Sequence, residues 1–151
     1  MSSGIGSVFE FSLRILLLLN EVNEKLDEEQ IGAIDYAAVY AADFGILDEN
    51  LHGYGNYRYG EYLAKKPAIS SALRNLVLNR CVLLYSGSSG YSYSVSEEGK
   101  RQCAFLKDEY AEEYILAVNT VLQEYDVSNL QRLIARINKQ INQSVGENGH
   151  E

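Results

Sequence analysis

The chain has 151 residues, 46% of them hydrophobic and 23% charged, with a net charge of -8. That is enough apolar material for one ordinary core, and it excludes a disordered tract or a fibrous repeat as the global state. The longest apolar run, Ile15 to Leu19, lies between Glu10 and Glu21 and is too short to span a bilayer; no signal-peptide pattern surrounds it, so a cytoplasmic protein is expected.

The charge is unevenly spread. Up to Leu51 there are two basic and ten acidic residues, from His52 to Lys107 eight basic and three acidic, and beyond that three basic and eight acidic. A basic middle between acidic ends suits a contact with nucleic acid or an acidic protein in the middle and protein contacts elsewhere. The overall acidity weakens non-specific attraction to phosphates.

The first helix is predicted from about Val8 to Leu26, with Phe11, Ile15, Leu18, Val22 and Leu26 at helical spacing. Asp27, with Gln30 three residues on, predicts the start of a second helix that runs to Gly45 and forms a hairpin with the first. From Ile46 to Gly60 glycine and tyrosine alternate without periodicity, which predicts an ordered loop. Tyr54, Tyr57 and Tyr59 there have the chemistry for stacking on bases or anchoring a protein contact, but are read as packing within the loop. After a helical turn at Glu61–Lys65, Pro67 opens a helix through Ile69, Leu73, Leu76 and Val77 that ends near Arg80.

Two β-prone runs, VLLYS and YSYSVS, follow, separated by GSSG and read as a hairpin with a loose tip. Ser96 caps the next helix, with Glu97 and Glu98 in its first turn. The helical pattern continues beyond Leu106 through Tyr110, Tyr114, Ala117, Val118, Val121 and Tyr125. A last helix from near Ser128 carries Leu130, Leu133, Ile134, Ile137 and Ile141 on one face, a stripe covered either by the first helix or by an oligomer or partner contact. The expected fold is mainly α with a small β-hairpin: a winged helix-turn-helix core flanked by N- and C-terminal helices. It forms a single domain over residues 1–145, followed by a disordered tail at 146–151.

Signals for catalysis are weak. The sequence offers no phosphate-binding glycine loop, zinc signature or nucleophile elbow, so no enzyme activity, catalytic residue, metal or cofactor is expected. Cys81 and Cys103 lack metal-ligand spacing and are read as reduced core residues. His52 is read as a hydrogen-bonded structural residue, not a general base. Lys65, Lys66, Arg74, Asn75, Arg80, Lys100 and Arg101 gather around the expected recognition helix and the start of the next, as candidates for nucleic-acid or partner contact. The hairpin tip GSSG has no basic residue to enter a groove, so contact with DNA is expected to be weak.

The run LHGYGNYRYGEYLAKKPAISSALRNLVLNRCVLLY, followed by GYSYSVSEEGKRQCAFLKDEYAEEY, resembles the middle component, second type, of bacterial ABC-three-component systems. The resemblance rests on Leu51, His52, Arg58, Gly60, Glu61, Lys65, Lys66 and Tyr110, with Asp35 and Tyr36 in the second helix, and covers roughly Ile15 to Tyr125. It departs from the family pattern in a shorter, less basic hairpin and a tyrosine-rich loop. The resemblance implies a non-catalytic, winged-helix-like adaptor acting beside an ABC-type (Rad50/SMC-like) ATPase and a further component, in defence against phage and other foreign DNA. Leu51, His52, Arg58, Gly60 and Glu61 are expected to build a rigid corner, with Arg58 and Glu61 pairing or capping backbone groups. The alternative function is a stand-alone winged-helix transcription regulator, dimeric through its terminal helices.

Overall fold

The computed structural model describes residues 3–48, 51 and 62–148, and the side chains of 9–48, 51 and 62–143. Six helices and one hairpin follow in the order α1 (Ser3–Val22), α2 (Glu28–Val39), α3 (Lys66–Leu78), β1 (Val82–Gly87), β2 (Gly90–Val95), α4 (Glu97–Cys103), α5 (Glu109–Glu124) and α6 (Gln131–Asn148). The 3-10 turns Ala41–Phe44 and Val127–Asn129 and a helical turn at 62–64 complete the described elements. The fold is mostly helical with a two-stranded antiparallel sheet, as the sequence pattern implies.

The first helix ends at Val22, four residues before its predicted end, because Asn23 takes a left-handed backbone angle (φ 55°). Leu26, expected inside the helix, instead pairs with Tyr93 of β2 through two backbone hydrogen bonds of 3.0 and 2.8 Å. Leu26 thus acts as a one-residue third strand on the inner edge of the hairpin. This order, with a strand-like residue between the first two helices and a hairpin after the third long one, is compatible with a winged helix.

Asp27 caps α2 as expected. Its carboxylate accepts the Gln30 N–H at 2.8 Å, and the Gln30 side chain accepts the Asp27 N–H at 2.9 Å. The helix stops at Val39, and a 3-10 turn carries the chain to Gly45, whose φ of 66° closes it. Glu28, in the first turn of α2, accepts hydrogen bonds from Ser70 of α3 and Tyr93 of β2, tying three elements together. The two N-terminal helices are no simple hairpin: α1 packs most extensively on α3, and α2 on α5.

Pro67 lies in the first turn of α3, one residue inside its start. Beyond the helix, Arg80 adopts φ 64°, and its carbonyl accepts the Ser96 hydroxyl at 2.6 Å. Ser96 Oγ in turn accepts the Gly99 N–H, so one side chain caps α4 and pins the corner where α3 enters β1. The hairpin tip is tight, not loose: Gly87 pairs with Gly90, leaving Ser88 and Ser89 as the turn, and Gly90 just after it takes φ 116°, a conformation open to glycine.

The helical pattern does not run on past Leu106. It breaks at Ala104, and Asp108 caps a new helix by accepting the Ala111 N–H at 2.8 Å. At the C-terminus, α6 extends through Asn148, so residues 146–148 are helical where a disordered tail was expected; residues 149–151 lie outside the described set. Leu130, Leu133, Ile134, Ile137 and Ile141 are all buried within the chain, and α6 packs on α2, not α1. They therefore offer no open stripe to an oligomer or partner.

Among the described glycines, Gly99 sits closest to another backbone segment. A Cβ there would collide with the Cys81 carbonyl and with Val95. Gly99→Ala is expected to cost about 1–3 kcal/mol, read as a lower urea midpoint with an unchanged slope.

Candidate interaction site

The sequence-nominated cations differ in their partners. Lys100 pairs with Glu97 at 3.3 Å, and Arg101 with Glu98 at 2.6 Å, each within one turn of α4. Hydrogen bonds from Gln102 and Arg101 hold the Glu98 carboxyl below its ordinary pKa. The ammonium of Lys65 lies 5.5 Å from the Phe11 ring centroid and that of Lys66 5.7 Å from the Tyr62 centroid. Arg74 and Asn75 stand exposed on α3, and Arg80 forms the corner beyond it. Leu51 is half-buried against the core, while His52, Arg58, Gly60 and Glu61, and with them Tyr54, Tyr57 and Tyr59, lie outside the described residues.

An apolar groove of about 810 Å³ opens between α1, α3 and α4. Phe9, Leu13 and Leu16 line one wall, Leu76 and Asn75 of α3 the other, and Leu106 contributes beyond α4. Phe9 is 66% exposed, although it extends the apolar stripe of α1. Cys81 also lines the groove, at the base of the hairpin. It is a free thiol whose pKa burial and the nearby Glu98 raise, and burial pushes the Cys103 thiol up to about 11, so neither is poised as a thiolate nucleophile.

The hairpin continues this surface chemistry. Val82 to Val95 contains no charged residue and is rich in Tyr, Ser and Gly. Leu83, Leu84 and Tyr91 are exposed on it. The outer edge of β1 is unpaired among the described strands and lacks the lysine or proline that guards sheet edges. Uncharged surface with Tyr and exposed aliphatic groups is the composition of a protein-contact patch.

Among the described residues, titratable groups also converge around a pair closed to solvent, Arg14 and Asp35. Arg14 donates from Nε and Nη2 to the two carboxylate oxygens of Asp35, at 2.9 and 3.1 Å, and Tyr114 donates its hydroxyl to Asp35 at 2.7 Å. Arg14 also bonds Glu10 at 3.3 Å, and Tyr110 donates to the same carboxylate at 2.8 Å. Burial alone would raise the pKa of Asp35, but the Arg14 guanidinium and the Tyr114 hydrogen bond outweigh it and hold the carboxyl below its ordinary value. Burial and the Asp35 charge raise Tyr114 well above the usual tyrosine range, which keeps it a neutral donor. The sequence carried a signal for this network: Arg14 falls on the buried stripe of α1 between Phe11 and Ile15, a position that demands a buried acid. Among the described residues, no group of three or more His, Cys, Asp or Glu side chains could hold a metal ion, and no helix is long and apolar enough to cross a membrane.

Asp35→Ala is expected to lower stability by about 3–5 kcal/mol at pH 7, because it leaves the Arg14 charge buried without its partner. Since the folded carboxyl titrates below the unfolded one, its contribution is fully present above the unfolded pKa of about 4 and is lost as pH falls through the lower folded value. Denaturant titrations from pH 7 down to pH 3 check both points, the variant showing a flatter acid limb than the parent chain.

No curated protein and no solved structure matches the chain. The family model for the ABC-three component (ABC-3C) system Middle Component 2 matches residues 5–147, from the first turn of α1 to the last turn of α6. With the match spanning both the groove and the uncharged hairpin, the chain belongs to the ABC-three component system Middle Component 2 family.

Proposed function

We propose that the chain is a non-catalytic adaptor subunit of a bacterial ABC-three-component system. In this reading it joins an ABC-type ATPase of the Rad50/SMC-like kind to a further component, in defence against phage or foreign DNA. The observation that carries the reading is the open apolar groove of α1, α3 and α4 in a member of a multi-component family. A groove lined by Phe9, Leu13, Leu16 and Leu76 suits the apolar side chains of a partner helix, which docks by burying such anchors. The uncharged hairpin supplies a second protein-facing surface of the same character. Support for a non-catalytic role comes from the ionisable side chains: the convergent ones are consumed by the Arg14–Asp35 network, inside the core.

The test is coexpression with the other components of the system, followed by affinity capture of this chain and sizing at moderate salt. A stable complex with the ATPase is expected. Phe9→Asp, which alters an exposed side chain of the groove, is expected to weaken that complex at least about tenfold, a loss of roughly 1.4 kcal/mol, while leaving the circular dichroism of the chain unchanged. Recovery of a lone homodimer that binds a DNA duplex with a steep salt dependence would replace the adaptor with a transcription regulator.

A further inference from the structure

In the acidic C-terminal third of the chain, three cations without a carboxylate partner among the described residues gather on one helix. From Val127 to Gly146 the sequence contains Arg132, Arg136 and Lys139 and no acidic residue. At 100° per residue these three fall within about 60° of one another around the axis of α6, and they span about 10 Å along it. With Ala135, Gln140 and Gln143 they line a shallow groove of about 530 Å³.

Two of the three are held in place by neutral groups. Arg132 donates from Nη2 to the Glu124 carbonyl at 2.5 Å, and its guanidinium lies 4.7 Å from the Tyr125 ring centroid. Arg136 donates from Nη1 to the Tyr125 hydroxyl at 2.6 Å and to the Phe44 carbonyl at 3.4 Å, with its guanidinium 5.1 Å from the Phe44 centroid. These contacts orient the guanidinium groups without neutralising them, and each retains donors from its set of five. Lys100 and Arg101, by contrast, are already paired with Glu97 and Glu98.

We infer that the outer face of α6 is a docking surface for the phosphodiester backbone of duplex DNA. Charge complementarity favours a polyanion, and the glutamines add the uncharged donors that commonly accompany Arg and Lys on phosphates. A protein occupant is disfavoured because the face offers Ala135 as its one apolar side chain in the groove, whereas protein interfaces need a buried apolar or aromatic anchor. A single strand is disfavoured because the aromatic rings here lie beneath the arginines instead of presenting a stacking platform. A helix 10–12 Å across also matches the major groove of B-form DNA, about 12 Å wide, and not the narrow major groove of an RNA duplex. The inference stands apart from the adaptor reading, since it concerns the purified chain and DNA without any ATPase.

The experiment is fluorescence anisotropy of the full chain with a labelled duplex of about 20 base pairs, titrated from about 50 to 200 mM salt. Three phosphate contacts give an expected slope of log K against log salt of about -3. The variant carrying Arg132→Gln, Arg136→Gln and Lys139→Gln is expected to lose at least about tenfold in affinity at the lowest salt, with a nearly flat salt dependence. Lys139→Gln, which removes no contact to Tyr125 or Phe44, is expected to fold as the parent and to reduce the slope by about one. Lys100→Gln with Arg101→Gln serves as the control and is expected to bind as the parent does. The inference is overturned if the parent does not bind, if the triple variant or Lys139→Gln binds with the parent's salt slope, or if the control loses as much. Equal or tighter binding to a single strand or to an RNA duplex overturns it as well.

Discussion

The fold turns on one buried ion pair. Arg14 of α1 and Asp35 of α2 are both nearly inaccessible to solvent, and the Tyr114 hydroxyl of α5 completes the ring of hydrogen bonds around the carboxylate. Apolar stripes such as Phe11–Ile15–Leu18 can pack in several registers, but a buried guanidinium must find its acid or pay a desolvation penalty of several kcal/mol. The pair therefore selects the one arrangement in which α1, α2 and α5 meet at this point. The hairpin is tied to the same framework through Leu26 and Glu28, so its position relative to the groove follows from that of α2.

With the convergent charges consumed inside the core, the outer surface divides by chemistry. An apolar groove opens between α1, α3 and α4, with an uncharged Tyr- and Ser-rich hairpin rising from the Cys81 end. Cations collect along α6, where Val127 to Gly146 contains no acidic residue. Such a division suits a subunit that works through binding: apolar side chains supply affinity for proteins, while cations supply salt-sensitive attraction for phosphates.

The local chemistry of the elements was legible in the sequence wherever a short motif determined it. Asp27 with Gln30, Ser96 with Glu97 and Glu98, and the glycines flanking Ser88 and Ser89 each announced a cap or a turn that the structure contains. What escaped was set by contacts distant in sequence or by competing local signals. Leu26 continues the helical spacing of α1, yet its backbone is captured by Tyr93, 67 residues further on. The apolar periodicity from Leu106 to Tyr125 hid the cap at Asp108, so two helices read as one. The C-terminal stripe had two possible covers, and only tertiary packing shows that the chain itself buries it. At the surface, regional charge sums pointed to the middle of the chain, because they cannot register that Glu97 and Glu98 neutralise Lys100 and Arg101 or that Val127 to Gly146 holds three cations and no acid.

The division of the surface is tested most directly by hydrogen–deuterium exchange on the chain in complex with the proposed ATPase partner, in the absence of nucleic acid. Slower exchange is expected in residues 9–16 of α1 and in the hairpin Val82–Val95, with the outer face of α6 unchanged. Protection confined to α6, or none on either side of the groove, would contradict the assignment of the groove and hairpin as the protein-binding surfaces.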